Sequence, residues 1–196
     1  MQLAGAVLVA GGLVVGLAAL TVLHLLPTGL SPVRNAVSQY GITPYRAGYR
    51  VQTIAYGVAG IGAALGLATF PGPVTVVVAL CAVFAAARLS ISWFPMDHPG
   101  SPRTESGRRH GLLAITAFAA VGLAGWRLAN LLGRDGIHPA VAGASDAFAA
   151  LMAVSLVAMV VDRRSGGKHF GLIERGFYLG MSAWLATVAA LLFLTA

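Results

Sequence analysis

Charge is what this chain has least of. Only 10% of its 196 residues are Asp, Glu, Lys or Arg, whereas a soluble domain carries about a quarter. That scarcity, with a mean hydropathy of +0.82, excludes an ordinary water-soluble domain and points to a membrane protein. Acidic residues are scarcest, six against thirteen Lys and Arg, for a net charge of +7. The basic excess does not argue for nucleic acid, because it gathers in short loops beside apolar runs, as membrane insertion requires. Cysteine is nearly absent. Cys81 stands alone in an apolar run, which excludes an intrachain disulfide framework or a Cys-based zinc site and leaves it a packing role. No positive n-region precedes the opening "MQLAGAVLVAGG", and the apolar run is too long for a signal-peptide core, so it is read as a retained helix.

What is present is a set of long apolar runs. Spanning about 30 Å of hydrocarbon takes roughly 20 apolar residues as a helix. Six segments qualify: Leu3 to Leu26, Val51 to Phe70, Val74 to Phe94, Gly111 to Leu132, Ala140 to Val161 and Leu172 to Ala196. Helix breakers separate them: Pro27 and Pro32, the "PGP" at Pro71 to Pro73, Pro95 with Pro99, "GRDGIHP" from Gly133 to Pro139, and "SGGKHFG" from Ser165 to Gly171. The expected architecture is an all-α polytopic transmembrane bundle of six helices, one domain over residues 1–196. Its first, third and fifth loops with their flanks hold Arg34, Arg46, Arg50, Arg103, Arg108, Arg109, Arg163, Arg164, Lys168 and Arg175; the opposite side holds Arg134. Lys- and Arg-rich short loops stay cytoplasmic, so both termini are expected on the outer side of a multi-pass cell-membrane protein. Gly12 with Gly16 and Gly62 with Gly66 are spaced for close helix contact.

Ionisable residues inside such spans should be paired or functional. Arg127, near the outer end of the fourth span, and Asp146, at similar depth in the fifth, are expected to form a structural ion pair, with Asn130 and Ser145 beside it. The opposite end is richer. Arg88, with Ser90 and Ser92 beside it, lies above Asp97; His24 ends the first span, His110 opens the fourth, Glu174 and Arg175 open the sixth, and Arg50, Gln52 and Tyr56 begin the second. Between the third and fourth spans runs the most polar stretch of the chain, "SWFPMDHPGSPRTESGRRHG".

The residue types permit acid–base chemistry, since a carboxylate can orient a histidine. Asp97 and His110 are the catalytic candidates if there is an enzyme. Asp97, His98, His110, His24 and Glu174 are also metal-ligand types, but no HExxH occurs, and Asp97 and His98 are adjacent in a Pro-flanked turn, which is not a zinc spacing. Only His24 and His110 could pair as haem ligands. No cofactor or metal is therefore assigned. There is no GxSxG, and "GSPRTESG" lacks the GK[ST] ending of a phosphate-binding loop. A plain alternative makes these groups helix caps, headgroup contacts and interfacial side chains.

"RNAVSQYG" after the first span, "FPMD" and "SGRRHG" around the third loop, and "GLIERGFYLGMSAWL" in the last span resemble the bacterial and archaeal membrane proteins of domain-of-unknown-function family 998. The resemblance covers nearly the whole chain. It implies a six-helix integral membrane protein, and its matching polar positions are Asn35, Ser38, Tyr40, Pro95, Asp97, His110, Glu174 and Arg175. His98 is outside the pattern. No activity comes with the resemblance.

Three functions fit these observations. The first is binding or sensing of a lipid or other amphiphile in a polar pocket at the cytoplasmic end, with Asn35, Ser38, Tyr40, Arg50, Arg88, Glu174 and Arg175 as ligand-binding residues and membrane lipids as partners. The second is a membrane-embedded lipid hydrolase or isomerase, in which Asp97 orients His110 as general base and Arg88 stabilises negative charge. The third is a small transporter with Arg88, Arg127 and Asp146 along its path.

Overall fold

The computed structural model of the chain describes residues 1–136 and 138–196; of the "GRDGIHP" loop, Ile137 lies outside the described residues. Among the described residues six α-helices follow one another: α1 (Gln2–Leu25), α2 (Arg46–Leu67), α3 (Thr75–Ile91), α4 (Glu105–Asp135), α5 (Pro139–Arg164) and α6 (Phe170–Leu194). A 3-10 helix, Val37–Ile42, lies between α1 and α2. Among the described residues there is no β-strand. The protein is all-α, and α1, α4, α5 and α6 are each long and apolar enough to cross a membrane.

Helix ends sit where the backbone can no longer continue. α1 stops at Leu26, already extended at φ −75° and ψ 148°, because Pro27 disfavours a helical residue before it. α4 ends on Gly136, whose φ of 63° suits a residue without Cβ. α5 opens with Pro139, where a missing N–H costs nothing. Two starts differ from expectation. α2 begins at Arg46 and α4 at Glu105, so about a third of the polar stretch expected as a connection is helix. Apolarity marks the membrane-length core of a helix, whereas capping groups mark its end, and these lie several residues outside.

Each helix packs against the next, and α6 returns to α1, so the six close into a ring. Gln2 Nε2 donates to Thr195 Oγ1 and ties the two ends. α6 is well enclosed; Phe177, Met181, Trp184, Leu185 and Val188 are buried on it, with Phe118 of α4 stacked on Phe177 at 4.2 Å between centroids. α1 and α2 approach backbone to backbone. A Cβ on Gly12 would lie 2.5 Å from the Ala55 carbonyl oxygen, and one on Gly62 would lie 2.7 Å from that of Gly5. Gly16 meets the Tyr56 ring and Gly66 meets Leu192, so the small-residue spacings serve helix packing, as expected where lipid offers no hydrophobic drive.

Candidate site at the basic end of the bundle

Three groups of polar side chains lie toward the end of the bundle that carries the first, third and fifth loops. The innermost centres on Arg88, one turn from the end of α3 and only 1% exposed. Its Nη1 donates to the Tyr178 hydroxyl at 3.1 Å and its Nη2 to Gln52 Oε1 at 3.0 Å. The guanidinium also lies over the rings of Tyr56 (5.6 Å) and Tyr178 (5.5 Å). No carboxylate pairs with it among the described ion pairs; hydrogen bonds and ring faces take that role. Tyr56 in turn bonds Ser182 at 2.9 Å. Arg88 is therefore part of the interior scaffold.

The second group fastens the first loop beneath the bundle. Glu174 Oε2 accepts from the Val37 N–H at 2.6 Å, at the start of the 3-10 helix. Arg175 donates from Nε to His24 Nε2 at 2.6 Å and from Nη1 to the carbonyls of Asn35 (3.0 Å) and Gly171 (2.9 Å), with the Tyr40 hydroxyl 3.5 Å from Nη2. His24 Nδ1 lies 2.6 Å from the Leu20 carbonyl, so that nitrogen carries the proton and Nε2 is the acceptor. Asn35 closes its own loop, accepting from the Ser31 N–H and donating to Gln39. Gly171 permits this docking: a Cβ there would collide with the Pro32 and Asn35 carbonyls.

The third group is the polar stretch, in which the direct hydrogen bonds of Asp97 and His110 go to other partners. Asp97 accepts from the Thr104 hydroxyl at 2.6 Å and the Thr104 N–H at 3.2 Å. Thr104 Oγ1 itself accepts from the Gly107 N–H at 3.1 Å and caps α4. The Thr104 bonds hold the Asp97 carboxyl below the usual carboxylate range. His110, 5% exposed, has Nδ1 at 2.8 Å from the Phe94 carbonyl. No hydrogen bond joins it to Asp97. Because α4 starts earlier than apolarity indicates, Asp97 faces the cap while His110 is already in the second turn. The metal set considered from sequence is likewise dispersed: His24 and Asp97 are engaged elsewhere, His98 is exposed, and among the described residues no three His, Cys, Asp or Glu gather.

Between the 3-10 helix, the start of α2, the end of α3 and the start of α4 is a cleft of about 90 Å³. Ser38, Gly41, Arg46, Tyr49, Arg50, Ile91, Ser92, Trp93, Pro95, Met96 and His110 line it, without a carboxylate. Arg46 and Arg50 are exposed. The Arg50 guanidinium lies 4.4 Å over the ring of Trp93, itself 59% exposed. Ser38 Oγ reaches Met96 Sδ at 3.2 Å. Deeper in, Tyr49 is buried, and Ser92 Oγ is buried with no hydrogen-bond partner. Of the ligand-binding residues expected from sequence, Ser38 and Arg50 line this cleft; Asn35, Tyr40, Arg88, Glu174 and Arg175 build the structure around it.

The other expected pair is not joined either. Ion pairs among the described residues join Glu105 to Arg108 and Arg109, and Asp162 to His169; none joins Arg127 to Asp146. α5 buries Ala142, Ser145, Ala149 and Met152, so Asp146, one residue on from Ser145, turns about 100° away and is exposed. Arg127 Nε and Ser145 Oγ are buried without partners, and Asn130 donates to the Trp126 carbonyl.

Sequence reasoning missed Tyr49, Tyr178, Ser182, Trp93, Met96 and Thr104. A usable pattern was there: Glu174, Tyr178 and Ser182 recur every four residues and share one face of α6, as Arg88 and Ser92 do on α3. No curated protein and no solved structure matches the chain. The family described as "Protein of unknown function (DUF998)" matches residues 8–191. With apolar membrane-length helices and that match over nearly its whole length, the chain belongs to the DUF998 family.

Proposed function

We propose that the protein spans the cell membrane six times with both termini outside, and that its cytoplasmic-end cleft binds an amphiphile with an anionic head. The observation that carries this reading is the cleft wall: two exposed guanidiniums, Arg46 and Arg50, and no carboxylate. A phosphate or carboxylate accepts charge-assisted bonds from guanidinium forks, and on the cytoplasmic leaflet each basic residue near the surface attracts anionic lipid by about 1 kcal/mol. Trp93 beside Arg50 suits the headgroup level of a bilayer. α2 and α3 are the helices least like independent spans: α3 has 17 residues, and the first turns of α2 carry Arg46, Arg50, Gln52 and Thr53. They fit as spans supported by their neighbours, with their inner ends shaped around a bound head.

The test is lipid analysis of the detergent-purified protein. Anionic phospholipid is expected to co-purify in preference to phosphatidylcholine, and Arg46→Gln with Arg50→Gln should abolish that preference while the protein stays monodisperse. Equal retention of both lipid types, or retention indifferent to the double variant, would refute the reading.

A further inference from the structure

We propose that the protein pairs with a second copy of itself across α4, with Arg127 of each chain facing Asp146 of the other in the outer half of the membrane. The starting point is two charges left without partners. Asp146 is exposed on α5 and joins no ion pair among the described residues. Arg127 Nε is buried on α4 with no acceptor. Both helices are long and apolar enough to cross a membrane, and an ionisable group within such a span is costly unless it is paired.

Position around the helix axis decides where a partner must stand. On α4, a Cβ at Gly125 would lie 3.3 Å from Ala149 Cβ, so that residue faces α5. Trp126, 50% exposed, points outward about 100° further round. Arg127, about 100° beyond Trp126, is on the far flank of the outward face, toward α3, the other neighbour of α4 in the ring. On α5, Ala142 and Ala149 face α4. Asp146 stands between them in sequence and shares their side of the helix, on its exposed edge. One chain thus carries its anion beside the α4–α5 groove and its cation beside the α3–α4 groove. The outward face of α4 lies between, which is why the two do not meet within the chain.

Their depths match. Arg127 is eight residues from the outer end of α4 at Asp135, and Asp146 is seven from the start of α5 at Pro139, about 12 and about 10 Å along the two helices. A two-fold axis along the membrane normal keeps every residue at its depth and exchanges left for right. Placed on the outward face of α4, it sets the α4–α5 groove of one chain against the α3–α4 groove of the other. Both Arg127–Asp146 contacts then form together, as an isologous interface requires. The face on the axis suits close approach. Leu112, Thr116, Ala119, Leu123 and Trp126 are all exposed and alternate spacings of four and three residues, the seam pattern of paired helices. Thr116 and Ala119 in its middle are small enough to bring two backbones together. A partner bearing one sign of charge would satisfy only one of the two residues, whereas a second copy satisfies both.

The experiment uses the full chain in phosphatidylcholine vesicles, with donor- and acceptor-labelled copies and resonance energy transfer as the measure of association. Wild type is expected to associate. Arg127→Asp sets anions against anions and Asp146→Arg sets cations against cations, so each should associate at least about 100-fold more weakly. Mixed together, the two variants should recover wild-type transfer, because both contacts of the mixed pair are of opposite charge. Neither an intrachain pair nor a purely apolar contact behaves in that way. If a reversal does not insert, Arg127→Gln and Asp146→Asn replace the two, each weakening association about tenfold, with the double variant no weaker than either. A second arm places Ala119→Cys in a Cys81→Ala chain: copper-catalysed oxidation should give a disulfide dimer, whereas Val14→Cys, on the exposed face of α1, should not. Within one chain the residues stay apart, so protein dispersed as monomers in excess detergent should show them as independent. A monomeric wild type, whether its α4 face retains lipid or another protein, would overturn the proposal. So would a mixture that associates no better than its single variants, or cross-linking through α1 rather than α4.

Discussion

Replacing Tyr178 by Phe keeps the ring over Arg88 and removes only the hydroxyl that accepts from it. The ring contact at 5.5 Å is worth about 0.5–2 kcal/mol and survives the change. What is lost is the 3.1 Å bond from Nη1, made by a charged donor that is 1% exposed and already has a buried Nε without a partner. Hydrogen bonds to charged groups contribute about 1.5–3 kcal/mol. With no carboxylate pairing with Arg88 among the described ion pairs, no Coulombic partner compensates, and Tyr178→Phe should destabilise by that amount. In an Arg88→Met background the hydroxyl has no cation to serve, so the same change should be nearly neutral. The coupling energy of the cycle is then about 1.5–3 kcal/mol. It can be measured by titrating unfolding with dodecyl sulfate in mixed micelles, using tryptophan fluorescence. Additivity within about 0.5 kcal/mol would refute the claim that hydrogen bonds and ring faces hold this guanidinium in place of a carboxylate.

Thr104→Ala removes the acceptor for the Gly107 N–H and should cost about 1 kcal/mol, read as faster amide exchange over the first turn of α4. Asp97 is held below its unfolded value by Thr104, so its contribution is fully present above about pH 4 and is lost as the pH falls through the lower folded value. Asp97→Asn should remove that acid dependence from the exchange of the Thr104 and Gly107 amides, and an unchanged profile would show that another group is responsible. For the outer residues, Arg127→Ala and Asp146→Ala should have additive effects in thermal melts, because no ion pair joins them; a departure above about 0.5 kcal/mol would show that they interact. A topology reporter in the third loop should read as cytoplasmic and one after residue 196 as external; a cytoplasmic C-terminus would refute six spans.

The sequence by itself determined the solvent and the all-α class, because both depend on local quantities. Low charge and long apolar runs select the membrane, and Pro27, Pro71, Pro73 and Pro139 break the backbone whatever surrounds them. The sequence also gathered the polar groups at one end, since a helix of known rise places His24, Arg88, His110 and Glu174 at similar depth. Only the tertiary structure decided which of them meet. Asp97 and His110 are close in sequence and lie on either side of one loop, yet Asp97 bonds the cap of α4 and His110 a backbone carbonyl. Arg127 and Asp146 share a depth, but a turn of about 100° on α5 separates a buried Ser145 from an exposed Asp146. Arg175 reaches His24 and Asn35 because Gly171 lets α6 sit against the first loop. Depth follows from one helix alone; partnership depends on the rotation of two helices about their axes, which is set by packing along their whole lengths and leaves no local trace in the residues that finally touch.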